Sequence, residues 1–106
     1  MIIIINYKDQ TSTLLSASTW SQAVAYAEGT GKNIQQMLNP QNIELVLNAP
    51  SSTNCYQVSC KNIDTSTTQS FFVFEQDFQS LNTWIESLSN LEVTNLSNQQ
   101  RNYVSL

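Results

Sequence analysis

Histidine is absent from this 106-residue chain, glycine and proline occur twice each, and only 11% of the residues are charged. Each shortage narrows the chemistry. Without histidine, acid–base work falls to carboxylates, and a tetrahedral zinc site has two cysteines and no imidazole to draw on. The four cations, Lys8, Lys32, Lys61 and Arg101, are scattered, and the net charge is −4. No basic patch is therefore visible to displace counterions, which argues against nucleic acid as a partner. The eight acids are too dispersed to imitate a phosphate backbone.

Long apolar runs are also missing. Nothing approaches the roughly 18 to 20 residues that crossing a bilayer requires, so no membrane partner is expected. The run Ile2-Ile3-Ile4-Ile5 lacks a preceding basic segment and leads into Asn6-Tyr7-Lys8-Asp9. That pattern is a strand and not a signal peptide, and the expected location is the cytoplasm or the inside of a particle.

The two cysteines, Cys55 and Cys60, fall in a segment that alternates like a strand. Five steps at about 3.3 Å place them near 16 Å apart on opposite faces, beyond disulfide reach. They are expected to be free and structural, since a cysteine nucleophile needs an activating base or a strongly cationic setting and only Lys61 is near in sequence. Gly29-Thr30-Gly31-Lys32 has the outline of the end of a phosphate-binding loop. Tyr26 stands where the earlier glycine belongs and Asn33 follows the lysine, so it is better explained as a helix stop. The neighbouring acids Glu75 and Asp77 stand where capping and the helix dipole already account for them. Glu28 and Glu86 are expected as solvated helix-end residues. Asn95-Leu96-Ser97 fits a glycosylation acceptor but has no secretion signal to support it. No catalytic residue, cofactor site or metal site is assigned, and the chain is not expected to be an enzyme.

What the chain does contain is apolar material for one core, 41% of its residues, and uncharged polar groups in excess. Asn, Gln, Ser and Thr make up about 44% of the sequence, while charged residues reach less than half of the roughly 25% usual in soluble domains. Compositional habit explains such a surface. So does close packing against neighbours, where buried unpaired charge is costly and amides and hydroxyls can be satisfied pairwise.

A single domain, 1–106, is expected at this length. Ile2 to Tyr7 and Thr11 to Ser16 form a hairpin across the turn Lys8-Asp9-Gln10. Thr19 with Gln22 has the spacing of a capping box, and Trp20, Ala23, Val24 and Ala27 then recur at helical period. Ile34 to Leu38 is a short strand or irregular edge, and Ile43 to Leu47 a further apolar run. The order then returns: an alternating strand over Cys55 to Lys61, an aromatic strand over Ser70 to Glu75, and a helix capped by Asp77 with Phe78, Leu81, Trp84, Ile85 and Leu88 on one stripe. Leu91 to Leu96 closes the unit. The tail, 97–106, is polar until Tyr103-Val104-Ser105-Leu106, which can add an edge strand.

Two helices, Trp20–Glu28 and Phe78–Glu86, thus match in aromatic start, apolar positions and final glutamate. One inserted residue later, Asn33 to Asn39 aligns with Glu92 to Asn98. Two ββαβ-like halves, about 1–48 and 55–98, point to an internal duplication. The fold class expected is α+β, a mainly antiparallel sheet with two helices on one face.

Alternation sends Phe71 and Val73 to one sheet face and Phe72 and Phe74 to the other. One set meets the helices, and the other needs cover. That cover is either the terminal segment or a partner; the candidate interface is Tyr56, Phe71, Phe72, Val73, Phe74 and Tyr103, since aromatics are favoured at contacts. The function expected is a non-enzymatic protein–protein interaction subunit, a small structural or assembly component of the viral decoration or tail-connector type that self-associates or joins a larger assembly. The alternative is a small acidic inhibitor or adaptor whose carboxylates meet a basic patch on a host protein. A weaker third reading is an enzyme whose site assembles from distant Ser, Tyr and carboxylates.

Overall fold

The computed structural model describes residues 1–106. The elements are β1 (Ile2–Tyr7), β2 (Ser12–Ser16), α1 (Trp20–Gly29), β3 (Ile34–Leu38), β4 (Ile43–Leu47), β5 (Asn54–Asn62), β6 (Thr68–Phe74), α2 (Phe78–Glu86), β7 (Leu91–Gln100) and β8 (Asn102–Ser105). The class is α+β, as the sequence predicts, and the two halves are alike. The strands divide into two mixed four-stranded sheets, β3-β1-β2-β8 and β4-β6-β5-β7, where one sheet carrying both helices was expected. Each sheet has its own helix.

The first compact unit is Met1–Gln41 with Gln100–Leu106, and the second is Asn42–Gln99. In the first, β1 and β2 form the expected hairpin, with Gln10 at φ 71° in its turn. β3 pairs antiparallel to β1, and β8 pairs parallel to β2, with Leu14 opposite Tyr103 and Leu15 opposite Val104. In the second, β5 and β6 form the hairpin and β4 pairs parallel to β6, with Leu45 opposite Phe72 and Val46 opposite Val73. β7 runs antiparallel to β5: Ile63 N–H donates to the Asn90 carbonyl and, further back along β5, Thr94 Oγ1 donates to that of Ser59.

Ile43–Leu47, grouped by sequence with the first half, thus joins the second unit, and part of the polar tail is strand. The terminal edge strand is expected from Tyr103-Val104-Ser105-Leu106; the change of unit and the strand over Ser97 to Gln100 are not legible locally. β7 continues to Gln100 although its end, Asn98-Gln99-Gln100, is exposed and amide-rich, because an outer strand needs backbone partners on one side only.

The cores correspond position by position. In the first unit Ile3, Ile5, Tyr7 and Leu15 meet Ala23 and Ala27 of α1; in the second Tyr56, Val58, Cys60 and Val73 meet Leu81 and Ile85 of α2. Volume is traded between the layers. Tyr7 on the sheet shares its cluster with Ala27, whereas the smaller Cys60 shares its with Ile85, the volume-conserving kind of exchange that cores tolerate best. Gly31 (φ 70°) and Asn90 (φ 61°) hold matching left-handed turns after the two helices. Glycine accepts that conformation without a Cβ clash, and asparagine is among the few side chains that tolerate it.

Both helices start on side-chain caps. The Gln22 N–H donates to Thr19 Oγ1 (3.1 Å), and Gln22 Oε1 accepts from Ser18 N–H (2.7 Å), one residue before the partner a standard capping box uses. Asp77 Oδ1 accepts from Ser80 N–H at 2.8 Å.

Leu81 is fully buried at the centre of its cluster. Leu81→Ala is expected to lower the unfolding free energy by about 3 kcal/mol, and Thr19→Ala by about 1 kcal/mol, in urea denaturation. A loss below about 1 kcal/mol for L81A would mean that α2 does not pack on its sheet as described.

Candidate protein interface

Five of the six aromatic and apolar side chains expected to meet a partner are interior. Phe71 and Val73 point toward α2, where Phe71 packs edge-on against Trp84 with ring centroids 5.3 Å apart. Phe72 and Phe74 lie on the other face of β6 and are buried too. Tyr56 is buried in the same cluster as Phe71, and its phenol is pushed above its ordinary range by desolvation, then by the negative charges of Asp77 and Glu75. Tyr103 is half-buried on β8. The five enclosed side chains have no surface to offer a partner.

Large exposed apolar groups do exist. Trp20 is 43% exposed and Phe78 59%, and they occupy the same position in the two units, the first residue of each helix. Helical periodicity assigned both to the core stripe. They leave it because a side chain in the first turn leans back toward the helix start, and neither ring belongs to its unit's core cluster. The signal available in the sequence was the cap: an aromatic directly after Thr19 or Asp77 stands at the rim. Their sequence neighbours are mostly amides and hydroxyls, Ser21 and Gln22 after Trp20 and Gln79 and Ser80 after Phe78, with the exposed carboxylate of Asp77 directly before Phe78.

The acidic pair separates into two structural roles. Asp77 caps α2, and the hydrogen bonds from Ser80 hold its carboxyl below the ordinary value of 3.8. Glu75 is buried, accepting from Asn48 Nδ2 at 2.8 Å through Oε2 and from the Gln76 N–H through Oε1. Their counterparts in the first unit are Ala17 and Thr19, so no carboxylate pair recurs. Glu28 and Glu86 are exposed, Glu86 taking a hydrogen bond from Asn82.

Cys55 and Cys60 are buried free thiols, and burial pushes the Cys60 thiol up, away from the reactive thiolate. Lys32 sits over the Tyr7 ring at 4.9 Å, donates to Thr11 Oγ1 and pairs with Asp9 at 3.5 Å. This exposed cluster ties the first hairpin to the turn after α1. Every buried side-chain nitrogen and oxygen has a hydrogen-bond partner, no three His, Cys, Asp or Glu converge as metal ligands, and no helix is long and apolar enough to cross a membrane. Compared with models of protein families, curated proteins and solved structures, the chain has no match.

Two measurements follow from these environments. Because the Asp77 pKa is lowered by folding, its contribution is fully present above the ordinary aspartate range and is lost as pH falls through the lowered value. Asp77→Asn is expected to flatten that acid loss in urea midpoints taken from about pH 6 to about pH 2.5 while keeping a capping oxygen; an unchanged profile assigns the loss to other carboxylates. Neither cysteine should react with a thiol reagent in the folded protein, and both should react in about 6 M guanidinium. Prompt labelling of the native chain contradicts their burial.

Proposed function

We propose that this chain is a non-enzymatic protein–protein interaction subunit, a small structural or assembly component of the kind that decorates or connects a larger particle. The observation that carries the proposal is the pair Trp20 and Phe78, large aromatics exposed at equivalent positions of two like units in a chain with few charges. Large aromatics are the side chains most often responsible for contact energy, and charge is depleted at the centre of interfaces. The duplication supplies that contact element twice in one chain, which raises avidity wherever both engage together. The amides and hydroxyls that follow each ring, Ser21 and Gln22, and Gln79 and Ser80, desolvate at less cost than ions.

Light scattering across protein concentration, at about 0.05 M and about 1 M salt, tests the reading. Stoichiometric oligomers with little salt dependence are expected, and Trp20→Ala or Phe78→Ala should weaken association about 30-fold, as loss of a hot-spot aromatic worth about 2 kcal/mol does. A monomer at every concentration, or association that these substitutions leave unchanged, would remove the basis for the proposal.

A further inference from the structure

From the sheet topology we infer that β8 is an exchangeable strand, and that the parallel edge of β2 accepts β8 from a second copy of this chain. The inference rests on the assembly reading and names its partner. Its starting point is the connectivity of the duplication. Each repeat is a ββαβ body, β1-β2-α1-β3 or β5-β6-α2-β7, and each body gains a fourth strand parallel to its second. That strand never belongs to the repeat it completes. β4, which follows the first body in the chain, pairs with β6 of the second; β8, which follows the second, pairs with β2 of the first.

The two docked strands are equivalent in detail. Val104 packs on the first core as Val46 packs on the second. A position that both repeats fill with a strand from elsewhere is a docking groove for this strand, defined by its register: Thr13 opposite Asn102, Leu14 opposite Tyr103, Leu15 opposite Val104, Ser16 opposite Ser105. Side-chain bonds add to the ladder at its start. Thr13 Oγ1 donates to Asn102 Oδ1 at 2.7 Å, and just before the strand Arg101 Nε donates to Ser12 Oγ at 3.2 Å.

The hinge favours exchange. β7 ends at Gln100 in one sheet and β8 begins at Asn102 in the other, so a single residue, Arg101, makes the passage. Short connections between elements that dock separately promote swapping, because an open chain forms the same pairings without turning the tight link. Identical contacts are broken and remade, leaving the outcome to the hinge and to chain concentration.

The test uses full-length chains carrying one introduced thiol each, S16C and S105C, at the facing Ser16 and Ser105. The native cysteines are buried and do not compete in the folded protein. Mixed and oxidised mildly, the two variants are expected to form a disulfide joining different chains, at a fraction that rises with concentration. Inserting Gly-Ser-Gly-Ser between Arg101 and Asn102 should lower that fraction severalfold. If the double variant S16C/S105C closes its own bond while the mixed single variants never join, even after unfolding and refolding together, the exchange is wrong. An unchanged fraction on lengthening the hinge also overturns it. Loss of oligomers in Trp20→Ala or Phe78→Ala with no cross-chain bond would sink the exchange alone; a monomer in every assay would sink both readings.

Discussion

Strands whose two faces are both apolar must be covered twice, and this requirement shapes the whole chain. Ile3 and Ile5 lie under α1 while Ile4 between them turns the other way; Phe71 and Val73 lie under α2 while Phe72 and Phe74 turn away. All of these side chains are buried. Burying apolar area stabilises at roughly 25 cal/mol per Å², and in a chain with so few ions this term has little electrostatic competition. A sheet of this kind spends its largest side chains on the interior, which is why the aromatic run of β6 is unavailable to a partner.

Under the proposed assembly role, recognition falls to positions that the layers do not cover. The helix starts are such positions, because the first side chain of a helix lies at the rim of its packed stripe. Outer strands are another, since they expose backbone groups that pair with whatever strand is brought to them. Pairing β4 to β6 and β8 to β2 covers one otherwise open strand edge in each sheet. The same geometry that completes each sheet also makes the completion transferable.

The polar interior is small and satisfied. Thr13 is the polar counterpart of Phe71, and it donates to Asn102 and accepts from the Tyr7 hydroxyl where the second unit packs Phe71 on Trp84. Glu75 has its oxygens engaged by Asn48 and a backbone amide. Such networks tolerate burial because every group is paired, and they specify which strand belongs beside which. The one-residue difference in spacing after the two helices is absorbed in turns held by Gly31 and Asn90.

Periodicity and capping are local, and on that scale the sequence determined a great deal: the α+β class, both hairpins, both helices with Thr19 and Asp77 at their starts, the free cysteines and the likeness of the halves. Alternation in β6 also determined that one set of phenylalanines would face a helix. It carried no information about pairing between Thr13 and Asn102, or between Glu44 and Phe71, because parallel partners are remote in sequence and leave no shared pattern. Tertiary structure alone therefore decided that the strands form two sheets, that Ile43–Leu47 and Asn102–Ser105 each complete the other repeat, and that Trp20 and Phe78 stay outside while Phe72 and Phe74 do not. Burial depends on what lies opposite a side chain, and that is a property of the folded layers and not of the residue's neighbours along the chain.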